Sequence, residues 1–179
     1  MPASLFKKAT EGTENRMFEV GDNLTLAPEV TNYIRAMGAQ RMGTNKVCYV
    51  ARCFRDETTT DGTRLREFTQ IGVELLGDNA LDCRKVVRKD AIKLFQMVLP
   101  EVETDRYGGQ MESPWVLQDG AERGLNLYSD ADKTFEISMA DLDGPSRAST
   151  GRQLLGGGPY EGGAGWALGL ERLMFAMTP

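Results

Sequence analysis

The chain contains no histidine in its 179 residues. That absence excludes Ser-His-Asp and Cys-His catalysis and every histidine-ligated metal site. Cysteine is scarce as well. Cys48, Cys53 and Cys83 are too few and too scattered for a disulfide framework or a thiolate zinc site. Cys48 and Cys53 fall on opposite faces of one expected strand, so they do not pair, and all three are expected reduced and buried. No apolar run approaches the roughly 20 residues of a membrane span. Met1 to Arg16 lacks the apolar core of a signal peptide, so a cytoplasmic protein is expected. Positive charge is in deficit: 21 Lys and Arg against 26 Asp and Glu leave a net charge of −5. A mainly electrostatic nucleic-acid binder is disfavoured, although a local basic patch survives such a balance.

What is present reads as one domain over residues 16–179, preceded by a polar arm over residues 1–15. Phe18 to Leu26 predicts a strand pair turning at Gly21-Asp22-Asn23. Pro28 is suited to open a helix in which Val30, Tyr33, Ile34 and Met37 recur at helical spacing, with Gly38 as its stop. Lys46 to Phe54 and Arg66 to Leu76 predict a hairpin with a polar tip at Thr58 to Thr63. Asn79 is placed to cap a helix from about Leu81 to Leu99, with Val87, Ala91, Leu94, Phe95 and Val98 as its buried stripe. Tyr107 to Trp115 reads as a connector, and Leu117 to Tyr128 fits neither period. Thr134 to Met139 alternates as a strand with Phe135 and Ile137 on one side. A glycine-dense segment, Gly151 to Gly165, leads into a strand and a terminal helix. Hairpins imply antiparallel pairing, so an α+β fold is expected: an antiparallel sheet flanked by helices, with the helices packed on one side.

Strand alternation sorts the second arm of the hairpin by face. Glu67, Thr69, Ile71, Val73 and Leu75 form the side a sheet buries. Phe68, Gln70, Gly72 and Glu74 place an aromatic plate, an amide, a gap and a carboxylate in a row, which suits a ligand floor better than a core. Arg55 and Glu57 hang over that floor from the neighbouring strand. A guanidinium beside a stacking ring suits a nucleotide. Gly156 to Gly158 fits either a turn or a close approach to a ligand.

These segments resemble the catalytic core of class II aminoacyl-tRNA synthetases, and most of all the histidyl branch. Phe54-Arg55-Asp56-Glu57 with Arg66-Glu67-Phe68-Thr69-Gln70 resembles motif 2, and Gly169-Leu170-Glu171-Arg172 resembles motif 3. Three segments are similar to histidyl-branch motifs: Leu26-Ala27-Pro28-Glu29-Val30-Thr31, Arg123-Gly124-Leu125-Asn126-Leu127-Tyr128, and Gly157-Gly158-Pro159-Tyr160-Glu161-Gly162. The chain departs from them at Ala27 and Pro159, where the family has arginine, at Asn126, where it has aspartate, and at Leu127, where it has tyrosine. No counterpart of motif 1, the insertion domain or the anticodon-binding domain is expected.

The resemblance implies a class II synthetase/biotin synthetase-like fold and a set of roles. Arg55 would grip the α-phosphate of ATP, Glu57 and Phe68 the adenine, Arg66 would join the ATP site, and Arg172 would hold the γ-phosphate. Arg123 would stabilise charge at the α-phosphorus. Glu29, Thr31 and Gln70 would hold a substrate amino group, while Glu74, Tyr128 and Tyr160 would read an imidazole. ATP with a magnesium ion (Mg2+) on its triphosphate would be the co-substrate, and no protein metal site is expected. The implied activity is formation of an aminoacyl-adenylate, with histidine the best match and the tRNA acceptor end a possible partner; a homodimer is open. The chemistry tolerates the lack of histidine. The attacking carboxylate is already ionised, so positioning and cations suffice. Two alternatives stand beside it. One is a non-catalytic paralogue acting as a regulatory or binding subunit, as in the branch member that partners ATP phosphoribosyltransferase. The other is an amino-acid ligase with a non-tRNA acceptor.

Overall fold

A computed structural model describes residues 5–7, 17–21, 24–60, 64–104, 108–120, 133–142 and 149–177. Arg123, Tyr128 and most of the expected arm lie outside these residues. The chain opens with β1 (Leu5–Lys7), β2 (Glu19–Gly21) and β3 (Leu24–Leu26), a small antiparallel sheet in the order β1-β3-β2. Part of the expected arm is thus a strand. The main sheet has six strands: β4 (Lys46–Phe54), β5 (Glu67–Leu76), β8 (Trp115–Asp119), β9 (Phe135–Ala140), β10 (Ser149–Tyr160) and β11 (Gly163–Gly169). Their order is β4-β5-β11-β10-β9-β8, every pair antiparallel. The expected connector contains β7 (Gln110–Glu112), which pairs with β6 (Val102–Thr104), the strand that precedes the connector.

Helix α2 (Ala80–Val98) starts where the Asn79 side chain accepts hydrogen bonds from the Leu81 and Asp82 amides, at 3.1 and 3.2 Å. It buries Cys83, Val87, Ala91 and Phe95 against one face of the sheet, with Leu94 and Val98 at the margin. From the sheet come Val73, Trp166, Leu168, Leu155, Phe135 and Ile137, and α3 (Leu170–Met177) sends Leu173 into the same cluster. Gly157 is required here. A Cβ on it would lie 2.6 Å from both the Gly165 carbonyl oxygen and the Phe135 ring.

The helices do not all pack on one side, as the sequence had suggested. Helix α1 (Thr31–Met42) roofs the opposite face at the β4–β5 end. There Val30 and Ile34 pack on Tyr49, Ala51, Cys53, Leu76 and Tyr160. It begins three residues after Pro28. Gly38 (φ 65°) interrupts α1 without ending it, and the left-handed Gly43 closes it. The cysteines are free, Cys53 and Cys83 buried but Cys48 exposed, because β4 is an edge strand and Cys48 points away from the face that α1 covers.

The glycine-dense segment falls in the long central strand β10 and the start of β11, and its glycines shape the ligand face. Register places Gly72, Ala167 and Gly156 side by side across β5, β11 and β10, and Glu74, Gly165 and Gly158 in the next row. Directly opposed residues share a face, so a trough of small residues crosses the sheet between larger side chains. A β-bulge between Gln153 and Leu155 turns Gln153 toward this face, opposite Ser138, while Leu155 faces the core opposite Ile137.

Candidate functional site

Two regions occupy the ligand face. The first is a cleft at the end of the sheet where the β4–β5 hairpin meets the start of α3. Arg55, Glu57, Phe68, Gln70 and Arg172 all line it, bringing together five of the residues that alternation and motif spacing had singled out. The Arg55 guanidinium stands 5.0 Å from the centre of the Phe68 ring. Its Nε donates to the Pro28 carbonyl at 3.4 Å. Arg66 is not in the lining. It is exposed, and its Nε donates to the Glu57 carbonyl at 3.0 Å, which braces the hairpin rather than facing a ligand.

Glu171 was passed over in favour of its neighbour Arg172, yet it ties the site together. Both its carboxylate oxygens accept from the Thr69 amide, at 2.8 and 2.9 Å. This joins the start of α3 to β5 and fixes where Arg172 enters the cleft. Glu136 was also missed, although alternation from Phe135 and Ile137 puts it on the ligand face. It accepts from Ser138 Oγ and Gln153 Nε2, each at 2.9 Å, and Gln153 lines the cleft.

The second region lies beneath α1 and is closed. Glu74 is 1% exposed. Thr31 Oγ1 donates to one of its oxygens and Tyr160 Oη to the other, both at 2.8 Å. The carboxylate rests over Gly165, where a Cβ would come within 1.8 Å of Oε2. Burial is the main cause that raises its pKa, to about 7, against the opposing pull of the two hydroxyl hydrogen bonds. Arg35, one turn along α1, sits 4.9 Å from the centre of the Tyr160 ring. Burial and the Glu74 carboxylate push the Tyr160 hydroxyl upward. Glu29 is buried at the margin, with 9% exposed.

Tyr49 fills the gap left by Gly72: a Cβ there would lie 2.3 Å from the tyrosine ring. Its buried hydroxyl makes no hydrogen bond of good geometry, although Thr31 lies beside it, and burial raises its pKa well above the ordinary range. Gln70 borders both regions and accepts from the Cys53 thiol at 3.4 Å. Burial pushes that thiol up to about 12, so it is protonated. The floor expected from β5 is therefore open at Phe68 and Gln70 and filled by the protein's own side chains at Gly72 and Glu74.

A six-stranded antiparallel sheet with this cleft is the fold of class II aminoacyl-tRNA synthetases. Solved structures agree. Pyrrolysyl-tRNA synthetase from Desulfitobacterium hafniense matches with a TM-score of 0.62 at 17% identity, over 99% of this chain and 61% of that one. Histidyl-tRNA synthetase from S. aureus, without ligand, matches with a TM-score of 0.54 at 23% identity, over 90% and 55%. The family profile described as "Histidyl-tRNA synthetase" matches residues 4–100, more than half of the sequence. The chain belongs to the histidyl-tRNA synthetase family.

Among curated proteins it is similar to several described as ATP phosphoribosyltransferase regulatory subunit. The one from Caldanaerobacter subterraneus subsp. tengcongensis is 41% identical over 73 residues, which is 37% of this chain and 19% of that protein. The one from Thermoanaerobacter sp. is 39% identical over 62 residues, 33% and 16% respectively. The chain thus spans under a fifth of the length of the curated relatives it matches. No described helix is long and apolar enough to cross a membrane.

Proposed function

We propose that this chain serves as a non-adenylating regulatory subunit built on a synthetase core, partnering an ATP phosphoribosyltransferase. The observation that carries this reading is the closed pocket around Glu74. Adenylation requires an amino acid seated beside the triphosphate with its carboxylate in line for attack. Here the carboxylate expected to read the substrate side chain is buried, and both its oxygens are taken by Thr31 and Tyr160. Each oxygen keeps a second acceptor position, but with Glu74 only 1% exposed a small cationic or N–H-bearing ligand such as histidine reaches it only when the groups packed around it move. Thr31 opens α1, and Arg35 on the same helix rests on Tyr160. Ligand entry is thereby linked to a shift of the α1 roof, which is the differential contact that a regulator needs.

The names of the relatives point the same way. So do Ala27 and Pro159, both buried where the motifs they resemble carry arginine. The test is co-purification with the ATP phosphoribosyltransferase catalytic chain of the same source, with and without histidine. A stable complex whose transferase activity responds to histidine is expected. Absence of any complex at micromolar concentration contradicts the proposal.

One observation favours the alternative of an amino-acid-activating enzyme: Arg55, Phe68 and Arg172 meet in an open cleft. In that reading ATP binds there with its α-phosphate on Arg55 and its γ-phosphate on Arg172. A magnesium ion arriving on the triphosphate needs only one or two protein carboxylates. Glu136, adjoining the cleft through Gln153, is of the right chemistry to supply one.

A further inference from the structure

The two edges of the main sheet are built differently. At one, β4 carries the exposed side chains of Lys46 and Arg52, ion-paired to Asp90 and Glu67. Charges on an edge strand discourage further pairing. At the other, β8 contains no lysine, arginine or proline, and its register with β9 is unbroken. The Ala140 amide donates to the Pro114 carbonyl, and the Gly120 amide to the Thr134 carbonyl. Even-numbered residues of β8 therefore bond to β9. Antiparallel alternation then turns the N–H and C=O of Leu117 and Asp119 off the edge, and no described residue bonds to these backbone groups.

Trp115, Val116 and Leu117 all line one concavity. Consecutive strand residues point to opposite faces, so this space lies at the sheet edge itself. Leu99 and Pro100 at the end of α2 and Met111 of β7 extend its apolar wall, and the exposed Glu101 stands beside them. No basic residue occupies the last turn of α2, so its carbonyl end adds negative potential there. At the other end of β8, Asp119 binds both Arg84 and Arg88, at 2.6 and 2.7 Å, which leaves that cluster with a net positive charge. The edge is apolar at its centre, negative at its Trp115 end and positive at its Asp119 end.

We propose that this edge pairs with the same edge of a second copy of the chain, antiparallel about a two-fold axis at Leu117, joining two six-stranded sheets into one. Leu117 then exchanges both backbone hydrogen bonds with Leu117 of the second copy, and Trp115 lies opposite Asp119 of that copy. Each negative end meets a positive end, so a single arrangement satisfies both. The inference holds whether or not the chain activates an amino acid.

Light scattering and residue-resolved hydrogen exchange test it. As concentration rises from about 20 to about 500 µM, the mass should move from one chain toward two. Over the same range the Leu117 and Asp119 amides should slow at least about twofold, while Val116 and Gln118, already bonded to β9, change little. Leu117→Pro removes the central donor yet leaves the bonds to β9, because proline is tolerated where the N–H faces outward; it should abolish the dimer. Glu101→Arg, at an exposed position, should weaken association at least about fivefold. Circular dichroism checks both folds, and if Leu117→Pro does not fold, Glu101→Arg and the exchange pattern decide. A single chain at every concentration, or a dimer that the folded variants leave unchanged, overturns the proposal. So do Leu117 and Asp119 amides as slow as those of Val116 and Gln118 in the dilute protein, since the edge is then covered within the chain.

Discussion

The two ends of the ligand face have opposite fates on one continuous set of strands. At the Phe68 end, β5 offers a half-buried ring, a cation above it and an open cleft. Only six residues further along the same strand, Glu74 lies sealed under α1, hydrogen-bonded to Thr31 and Tyr160. At the open end Arg55, Phe68 and Arg172 remain grouped around a cleft. At the closed end Glu74, Thr31 and Tyr160 form an internal polar cluster. A family fold can thus keep one subsite available while tying the next to the position of a helix.

The largest expected effect is on the closed end. Glu74 has a folded pKa of about 7 against an ordinary 4.5. Its folded state binds the proton more tightly, so the stabilisation is fully present below pH 4.5 and is lost as pH rises to 7. Chemical denaturation across that window should show stability falling by roughly 3 kcal/mol, and Glu74→Gln should flatten that component. Tyr160→Phe removes a hydrogen bond that favours the ionised carboxylate, so it should shift the upper end of the window to higher pH.

Next in size is Gly165→Ala. The added Cβ cannot share space with the Glu74 carboxylate, and a cost of about 2 kcal/mol in unfolding free energy is expected. At the open end, Arg55→Ala should weaken AMP about tenfold, equivalent to ~1.4 kcal/mol, with little change in denaturation midpoint. If Arg55→Ala destabilises as much as Gly165→Ala, the contrast between the two ends fails. Smallest is Asp119→Ala, far from both ends. Its ion pairs to Arg84 and Arg88, 2.6 and 2.7 Å long, are solvent-accessible and should contribute under about 1 kcal/mol.

Much of this was legible in the sequence. The hairpin β4–β5, helix α2 with its Asn79 cap, and the strand containing Phe135 and Ile137 follow from alternation, periodicity and capping chemistry. The cleft residues Arg55, Glu57, Phe68, Gln70 and Arg172 follow from alternation together with motif order. Three things were not legible. The glycine-dense segment gave no period-2 signal, because its glycines clear space for Glu74, Phe135 and Trp166 in place of contributing side chains. Tyr49 reads as an ordinary strand aromatic until Gly72 is seen opposite it. The sealing of Glu74 depends on where α1 lands, a tertiary outcome that no local pattern encodes. Arg66 shows the converse: a motif position whose side chain braces the hairpin backbone.

The central claim is that the closed acid pocket belongs to a regulator and not to an activating enzyme. ATP–pyrophosphate exchange, measured with each of the twenty amino acids in the presence of magnesium, tests it most directly. The account predicts no exchange above background with any of them in folded protein. Exchange stimulated by histidine, and abolished by Arg55→Ala, would contradict it.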